Sequence, residues 1–406
     1  MLSHCGKLTV ALGGAGVALG LRTASAEPLR LRADAIGEAR APVGLVILQA
    51  ADRKYPYLDV ETLVWTGARA DPTASLGWAG TQTRPAADVL VLSLRLREPG
   101  GHGELRAGRF VFTTGAIRPL QIDGISAIGR SPWGTTAEAF GGIPVLPQSA
   151  PRTTEWAGGG RIAQSVASRA TMGLSYFARR ADGERVTEEV GADFAATPTT
   201  MVDVAGKGAY DLLSRGVADA TGSLAIRSEP WRWELFGSHR SPGRLLPATS
   251  LFSVLGDFPA QTLGTTVRWD AAPRLDLLAS GAAQNVGGQI GGYASFRATL
   301  RTDDDGDGRL GVEVRRQDVL STRWTGVRLL ASEPLADQWR LATELEIARA
   351  DDPGDRGAVW PWGLLALSWR SRTGWEASTA IEAGATPRYS FETNALLRLA
   401  RTWDLP

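Results

Sequence analysis

Cysteine is almost missing from this chain of 406 residues: Cys5 is the only one. No internal disulfide can form, so stability must come from packing, pairing or the surrounding medium. Lysine is nearly absent too. Lys7, Lys54 and Lys207 are the only three among 44 basic residues, and 43 acidic residues balance them. Without a basic excess, a nucleic-acid partner is excluded. The Ala, Gly and Arg richness reads as the imprint of a high-GC genome rather than as chemistry. Long apolar runs are also missing. Beyond residue 26 the longest nearly uninterrupted one is Ala358–Trp369, twelve residues that include Pro361, whereas a spanning helix needs about 18 to 20. Helical membrane proteins are thereby excluded, and a soluble β protein and a membrane β-barrel stay open. No Gly-x-Ser-x-Gly, P-loop or dinucleotide fingerprint is present.

What is present begins with a leader. Lys7 precedes an apolar stretch from Leu8 to Leu21, and Ala24-Ser25-Ala26 offers small residues at both positions read by a signal peptidase. This is the pattern of a secretory signal over 1–26, with cleavage near Ala26. Cys5 falls before the apolar core, the wrong side for lipid attachment. The leader takes Lys7 and Arg22 with it, leaving 42 basic against 43 acidic residues in 27–406.

From residue 27 onward the period is two. Leu90, Leu92, Leu94 and Leu96 share a face opposite Ser93, Arg95 and Arg97; Ala294, Phe296, Ala298 and Leu300 oppose Ser295, Arg297, Thr299 and Arg301. The same alternation recurs in 189–196, 231–235, 340–347, 375–382 and 391–399. Strict alternation is the mark of strands with two unlike faces, and no helical period is comparably clean. Turn signals separate the runs at 97–101, 131–134, 181–184, 228–230, 271–273, 303–308, 332–334 and 372–374. Longer irregular stretches lie at 68–87, 113–120, 146–157, 198–208, 241–262, 284–290 and 349–360. Short turns alternating with longer loops predict an up-and-down antiparallel barrel of about 18 strands, in a range of 16 to 20, with periplasmic turns and extracellular loops. Nothing divides 27–406, so one domain is expected.

The polar face is repeatedly charged while the apolar face is rich in Leu, Ala, Trp and Phe. A soluble sandwich would hide the second face in a core; in a barrel lipid covers one face and water the other. Many of the 14 Trp lie near strand ends, including Trp65, Trp78, Trp133, Trp156, Trp231, Trp269, Trp339, Trp360, Trp362 and Trp403, as interfacial girdles require. Repeats with a fixed period of about 40, as propeller blades need, are not visible.

Within Leu105 to Pro147 the chain reads Leu-Arg-Ala-Gly-Arg at 105–109, then Gly115, Arg118, Ile122-Asp123-Gly124 and Phe140-Gly141-Gly142-Ile143-Pro144-Val145. This segment resembles the strand-loop-strand signature of porin-type outer-membrane channels, distantly the alginate-export type. Gly108, Arg109, Gly115, Arg118, Asp123 and Gly124 match, whereas Phe110 stands where Gln is usual and Ile122 where Phe is usual. The chain as a whole also resembles secreted barrels of high-GC Gram-negative bacteria. The resemblance implies a barrel and leaves the substrate open. By their charge, Arg109 and Arg118 beside Asp123 suit either a lumen pair holding a loop to the wall or an ordinary strand-end salt bridge. Trp403 gives the last strand an aromatic end in register with Phe391 and Leu399, although Asp404-Leu405-Pro406 follow it.

Candidate chemistry is sparse. His102 sits in a Gly-rich turn; His239, between Ser238 and Ser241, invites a lipid-hydrolase reading for which no third member is in sight. Asp303-Asp304-Asp305-Gly306-Asp307-Gly308 matches the first half of a calcium loop through Asp303, Asp305 and Asp307, but its twelfth position is Val314. A solvated hairpin explains it equally. No other cofactor is expected. The stretch 241–262, with Leu245, Leu246, Leu251, Phe252, Val254, Leu255 and Phe258, is too apolar for water, and is expected to fold into the barrel mouth or lumen as a constriction or plug, or to pack over a rim. The residues expected to line the lumen are Arg30, Arg32, Asp34, Arg95, Arg109, Arg118, Asp123, Arg232, Glu234, Arg297, Arg340, Glu344 and Glu346.

The leading expectation is therefore a porin-like outer-membrane channel for passive diffusion of small polar solutes, with no enzymatic step. Its expected partners are outer-membrane lipid and lipopolysaccharide, the barrel-assembly machinery and the solutes themselves. A closed structural, adhesion or surface-assembly barrel is the second expectation, and a membrane lipid hydrolase the third.

Overall fold

Strands with one apolar and one polar face satisfy their backbone groups only by pairing laterally, and without a covered edge they must pair until the sheet closes. The computed structural model follows this logic. It describes residues 29–405 apart from 39–42, 53–58, 71–82, 99, 146–154, 242–259, 304–306, 320–321, 355–356 and 386–390; along 29–88 and at 90, 319, 322, 353–354, 357 and 403–405 it describes the backbone alone. The leader segment, Cys5, Trp78, Asp305 and the whole apolar set Leu245, Leu251, Phe252 and Phe258 lie outside the described residues.

The described chain is all strand and turn: 22 strands form one sheet, each antiparallel to its sequence neighbours. The first, β1 (Leu29–Glu38), pairs with β2 (Val43–Asp52) on one side and with the last, β22 (Glu392–Leu405), on the other, from Leu29↔Leu405 to Glu38↔Leu396. The barrel is closed by that pair. All connections on the side where β1 begins and β22 ends, the proximal rim, are short. The longest, 71–82, 145–154 and 241–259, all lie on the distal rim.

The strand number exceeds the expected 18 because several connections do not stand out in the sequence. The clearest are 167–169, between β8 (Glu155–Val166) and β9 (Ala170–Ala181), and 212–215, between β11 (Val202–Asp211) and β12 (Gly216–Ser228). Neither contains Gly or Pro; instead Ala167, Ser168 and Arg215 take left-handed backbone conformations, φ 49°, 56° and 55°. Conversely, 198–208 and 284–290 are strands running into two-residue turns rather than long loops, and 332–334 lies inside β18 (Thr322–Ala336).

Register assigns every position to a face. One row runs Arg106, Ser126, Phe140, Gly159, Phe177, Glu189, each directly opposite the next across β5 (Gly103–Phe112), β6 (Leu120–Arg130), β7 (Thr135–Pro144), β8, β9 and β10 (Glu184–Thr199). This is the inward face, and Glu189 on it is 2% exposed. Positions between carry the outward face, where Leu174 is 70% and Ile162 65% exposed. At the proximal rim, Trp231 of β13 (Trp231–Arg240) stacks on Trp269 of β14 (Ala260–Ala272) with ring centroids 4.8 Å apart, and Trp339 lies 6.2 Å from Trp369. Those four stand on the outward face at one level, where girdle residues are expected. Trp360 and Trp362 do not: register with Ala348 and Glu346 turns them inward.

Candidate functional site: the lumen wall and its docked loop

Two sectors of the inward face differ in kind. On β16 (Gln289–Arg301), β17 (Arg309–Val319), β18, β19 (Trp339–Gly354) and β20 (Gly357–Arg370), a row of directly opposed residues reads Arg297, Glu313, Arg328, Glu346, Trp362. Opposite charges facing each other across strands are mutually favourable. The side chains realise this: Arg297 Nη2 donates to Glu313 Oε2 at 2.7 Å, Arg328 pairs with Glu344, Arg315 pairs with Glu346, and Trp362 Nε1 donates to Glu382 at 2.6 Å. Arg315 also lies over the Trp324 ring and Arg328 over Trp362. The wall there is a charge-balanced ladder of guanidinium and carboxylate groups.

The second sector, β5 to β9, carries a cluster of apolar side chains on its inward face. Phe110, Phe112, Ile122, Phe140 and Phe177 form a buried cluster, with Phe112 and Phe140 stacked 4.0 Å apart. Inward apolar groups in a wet lumen need a cover, and the connection 113–119 supplies it by folding in rather than out. Ile117 joins the cluster. Arg118 reaches β10 and pairs with Glu189, their side chains 11% and 3% exposed. Gly115, at φ +51°, lies against the pair formed by Arg161 and Asp193, where a Cβ would come within 2.7 Å of the Arg161 side chain. Arg161 itself is held bidentately by Asp193, at 2.9 and 2.5 Å, and by Glu138 at 3.2 Å. The wall beneath is cut back to make room: a Cβ on Gly173 would meet the same guanidinium at 2.7 Å, and one on Gly191 would meet Ala116 at 2.6 Å. Docked in this way, 113–119 narrows the lumen from the β8–β11 side.

The expected lumen residues sort as follows. Arg95, Arg232, Glu234, Arg297, Arg340, Glu344 and Glu346 occupy inward positions. Positions 30, 32 and 34 share that face through their register with 404, 402 and 400. Arg340 pairs with Asp307 at 3.2 Å beside a proximal hollow of about 760 Å³, also lined by Arg370, Glu376 and Arg398. Arg118 does hold a loop to the wall, but through Glu189 rather than Asp123. Arg109 and Asp123 correct the expectation outright: they pair at 2.6 Å on the outward face, in line with Leu105 and Ile125. The two positions that depart from the porin signature, Phe110 and Ile122, are both fully buried in the inward cluster.

The remaining candidates are placed as follows. His239 stands on the outward face opposite Gln261 while Ser238 faces inward, so no Ser–His couple forms between them. Of the calcium candidates, Asp303 accepts from the Gly308 amide at 2.7 Å and Asp307 is held by Arg340. Among the described residues no group of three or more acidic, His or Cys side chains is placed to hold a metal ion. The docking wall of Gly173, Ser175 and Gly191 escaped the sequence reading. Its trace there is a run of small residues at inward positions where neighbouring strands carry charge.

No family model and no curated protein matches the sequence. Among solved structures, the chain is similar to the translocation pore of the P pilus usher PapC, at 9% identity and TM-score 0.45, covering 93% of this chain and 99% of that one. It is also similar to the usher-containing Escherichia coli P pilus tip assembly intermediate, at 10% identity and TM-score 0.49, covering 93% and 61%. A third likeness is to Pseudomonas aeruginosa OpdK with vanillate, at 10% identity and TM-score 0.40, covering 93% and 97%. These likenesses carry no argument about solutes.

Proposed function

We propose that the chain is an outer-membrane channel through which small polar solutes diffuse passively, narrowed by the inward connection 113–119. The carrying observation is the contrast between the two faces of one closed sheet. Exposed Leu, Ile and Val stud the outside, while inside a ladder of paired Arg and Glu lines β16 to β20 and the docked connection 113–119 covers the apolar cluster of the facing sector. Lipid on one side and water on the other satisfy both faces at once. Selectivity in such a pore comes from its radius and from charges along the wall. Because the inward guanidinium groups are matched by carboxylates, little preference between anions and cations is expected. The porin resemblance is not extended to an acidic polysaccharide: Arg109 and Asp123, which carry part of it, do not face the lumen. Outer-membrane lipid, lipopolysaccharide and the assembly machinery are the proposed partners, and secretion through the leader at 1–26 the proposed route. Liposome swelling tests the reading. Purified, heat-modifiable protein should let arabinose enter, with small acidic and basic amino acids entering at rates within about threefold of each other. Folded protein that admits no arabinose contradicts it.

A further inference from the structure

A lipid-facing barrel wall is normally a relief of side chains that fluid lipid tails cover indifferently. The outward face of β8 to β12 departs from this. Ala192, Gly206, Gly208 and Gly222 form a floor almost without side chains, and Ile162, Met172, Leu174 and Phe194 stand around it, enclosing a groove of about 820 Å³. Its exposed lining is overwhelmingly apolar. Following β9 from Leu174 toward the distal rim, the outward positions become Tyr176, Ala178 and Arg180. Arg180 is opposite Trp156 on β8 and Arg185 on β10.

Depth supports a connection between groove and rim. The six residues from Leu174 to Arg180 span roughly 20 Å along the strand. At a strand tilt of about 45° that is roughly 14 Å of depth, about half the ~30 Å hydrocarbon core. A groove near mid-membrane therefore puts Arg180, Arg185 and Trp156 at headgroup level. The polar groups there are specific. Arg185 pairs with Glu188 at 2.8 Å, and Glu188 also accepts from the Tyr176 hydroxyl at 2.7 Å. Arg180 makes no ion pair among the described residues. Two outward guanidinium groups thus share one outward strand carboxylate, beside an amphipathic Trp. Glu184 is on the inward side by its register with Ala181, and Asp182 belongs to the hairpin tip.

We propose that this groove seats one acyl chain of a phosphorylated membrane lipid whose phosphate is bound by Arg180 and Arg185. The inference rests on the outer-membrane reading and adds a defined lipid site to it. Guanidinium forks match phosphate oxygens, and the apolar channel leading from them accommodates the tail.

Native mass spectrometry of the delipidated full-length protein in mixed micelles tests it, with phosphatidylglycerol, diacylglycerol and inorganic phosphate as probes. One phosphatidylglycerol should be retained per chain. R180Q/R185Q should lower that retention at least about tenfold and leave diacylglycerol unaffected. G208L/G222L should abolish retention of both lipids: a Cβ on Gly208 meets nothing closer than 3.7 Å and one on Gly222 nothing closer than 3.9 Å, so the groove fills without strain on the wall. Retention unchanged in both variants overturns the proposal, as does displacement of the lipid by inorganic phosphate alone. Conversion of a native dimer to monomer by G208L/G222L also overturns it, since the groove would then seat a second copy. Failure of the membrane reading looks different: no heat-modifiable folded form is obtained at all.

Discussion

Glu189 decides where the loop 113–119 rests. Removing it takes from the buried Arg118 guanidinium the carboxylate it pairs with and leaves only the charge of Asp211, directly opposite Glu189 on β11, a cost of up to about 3–5 kcal/mol if the loop stays docked. The loop should undock instead. Because 27–406 contains no Cys, Ile117→Cys is a single-site reporter. Its maleimide labelling should be slow in the otherwise native chain, where Ile117 is 5% exposed, and at least about tenfold faster with Glu189→Ala added, the release following from that lost pair. Equal rates would show that the salt bridge holds nothing. Much at this scale was readable beforehand. Alternation alone placed Arg95, Arg232, Glu234, Arg297, Arg340, Glu344 and Glu346 on one face. Arg109 and Asp123 failed because a motif was allowed to override that alternation: Arg109 is an even number of residues from Leu105, and Asp123 from Ile125, so both belong with the outward residues. Phe110, Phe112 and Phe140 on the polar side were the visible sign that something packs against the inner wall. Which segment does so depends on Gly173, Ser175 and Gly191, far away in sequence and brought together only by register.

At the scale of strands and turns, the two faces respond differently to charge. Leu174→Arg, on the lipid side of β9, should lower unfolding stability by about 2–4 kcal/mol, whereas Thr221→Lys, an inward change on β12, should cost under about 1 kcal/mol. Urea titrations of the protein folded into vesicles measure both. Equal costs would contradict the assignment of faces. The 167–169 hairpin offers the opposite sign. Ala167 and Ser168 hold left-handed conformations that Asn and Gly adopt with less strain, so Ala167→Asn with Ser168→Gly should raise stability by about 0.5–1 kcal/mol in the same titration. A fall would mean that those side chains make contacts worth more than the strain. These turns explain why the strand total was underread. Gly and Pro punctuate only the turns that need them, and a three-residue turn made of Ala, Ser and Arg leaves the hydrophobic pattern almost unbroken. Architecture was legible because period two repeats in every strand; the number of repeats was not.

For the whole molecule, closure between β1 and β22 turns a list of half-apolar strands into an object with a charged, partly loop-covered inside and an apolar outside. The near-neutral charge balance of 27–406 reappears as Arg–carboxylate pairs along the lumen, and the shortage of Lys as a wall built almost wholly on Arg, whose planar fork suits bidentate pairing. Single-channel recording in a planar bilayer tests the central claim most directly. The purified, folded chain should give discrete conductance steps with weak ion selectivity, and Glu189→Ala should enlarge those steps by releasing the docked loop. Folded, heat-modifiable protein that inserts and yet produces no steps would contradict the channel.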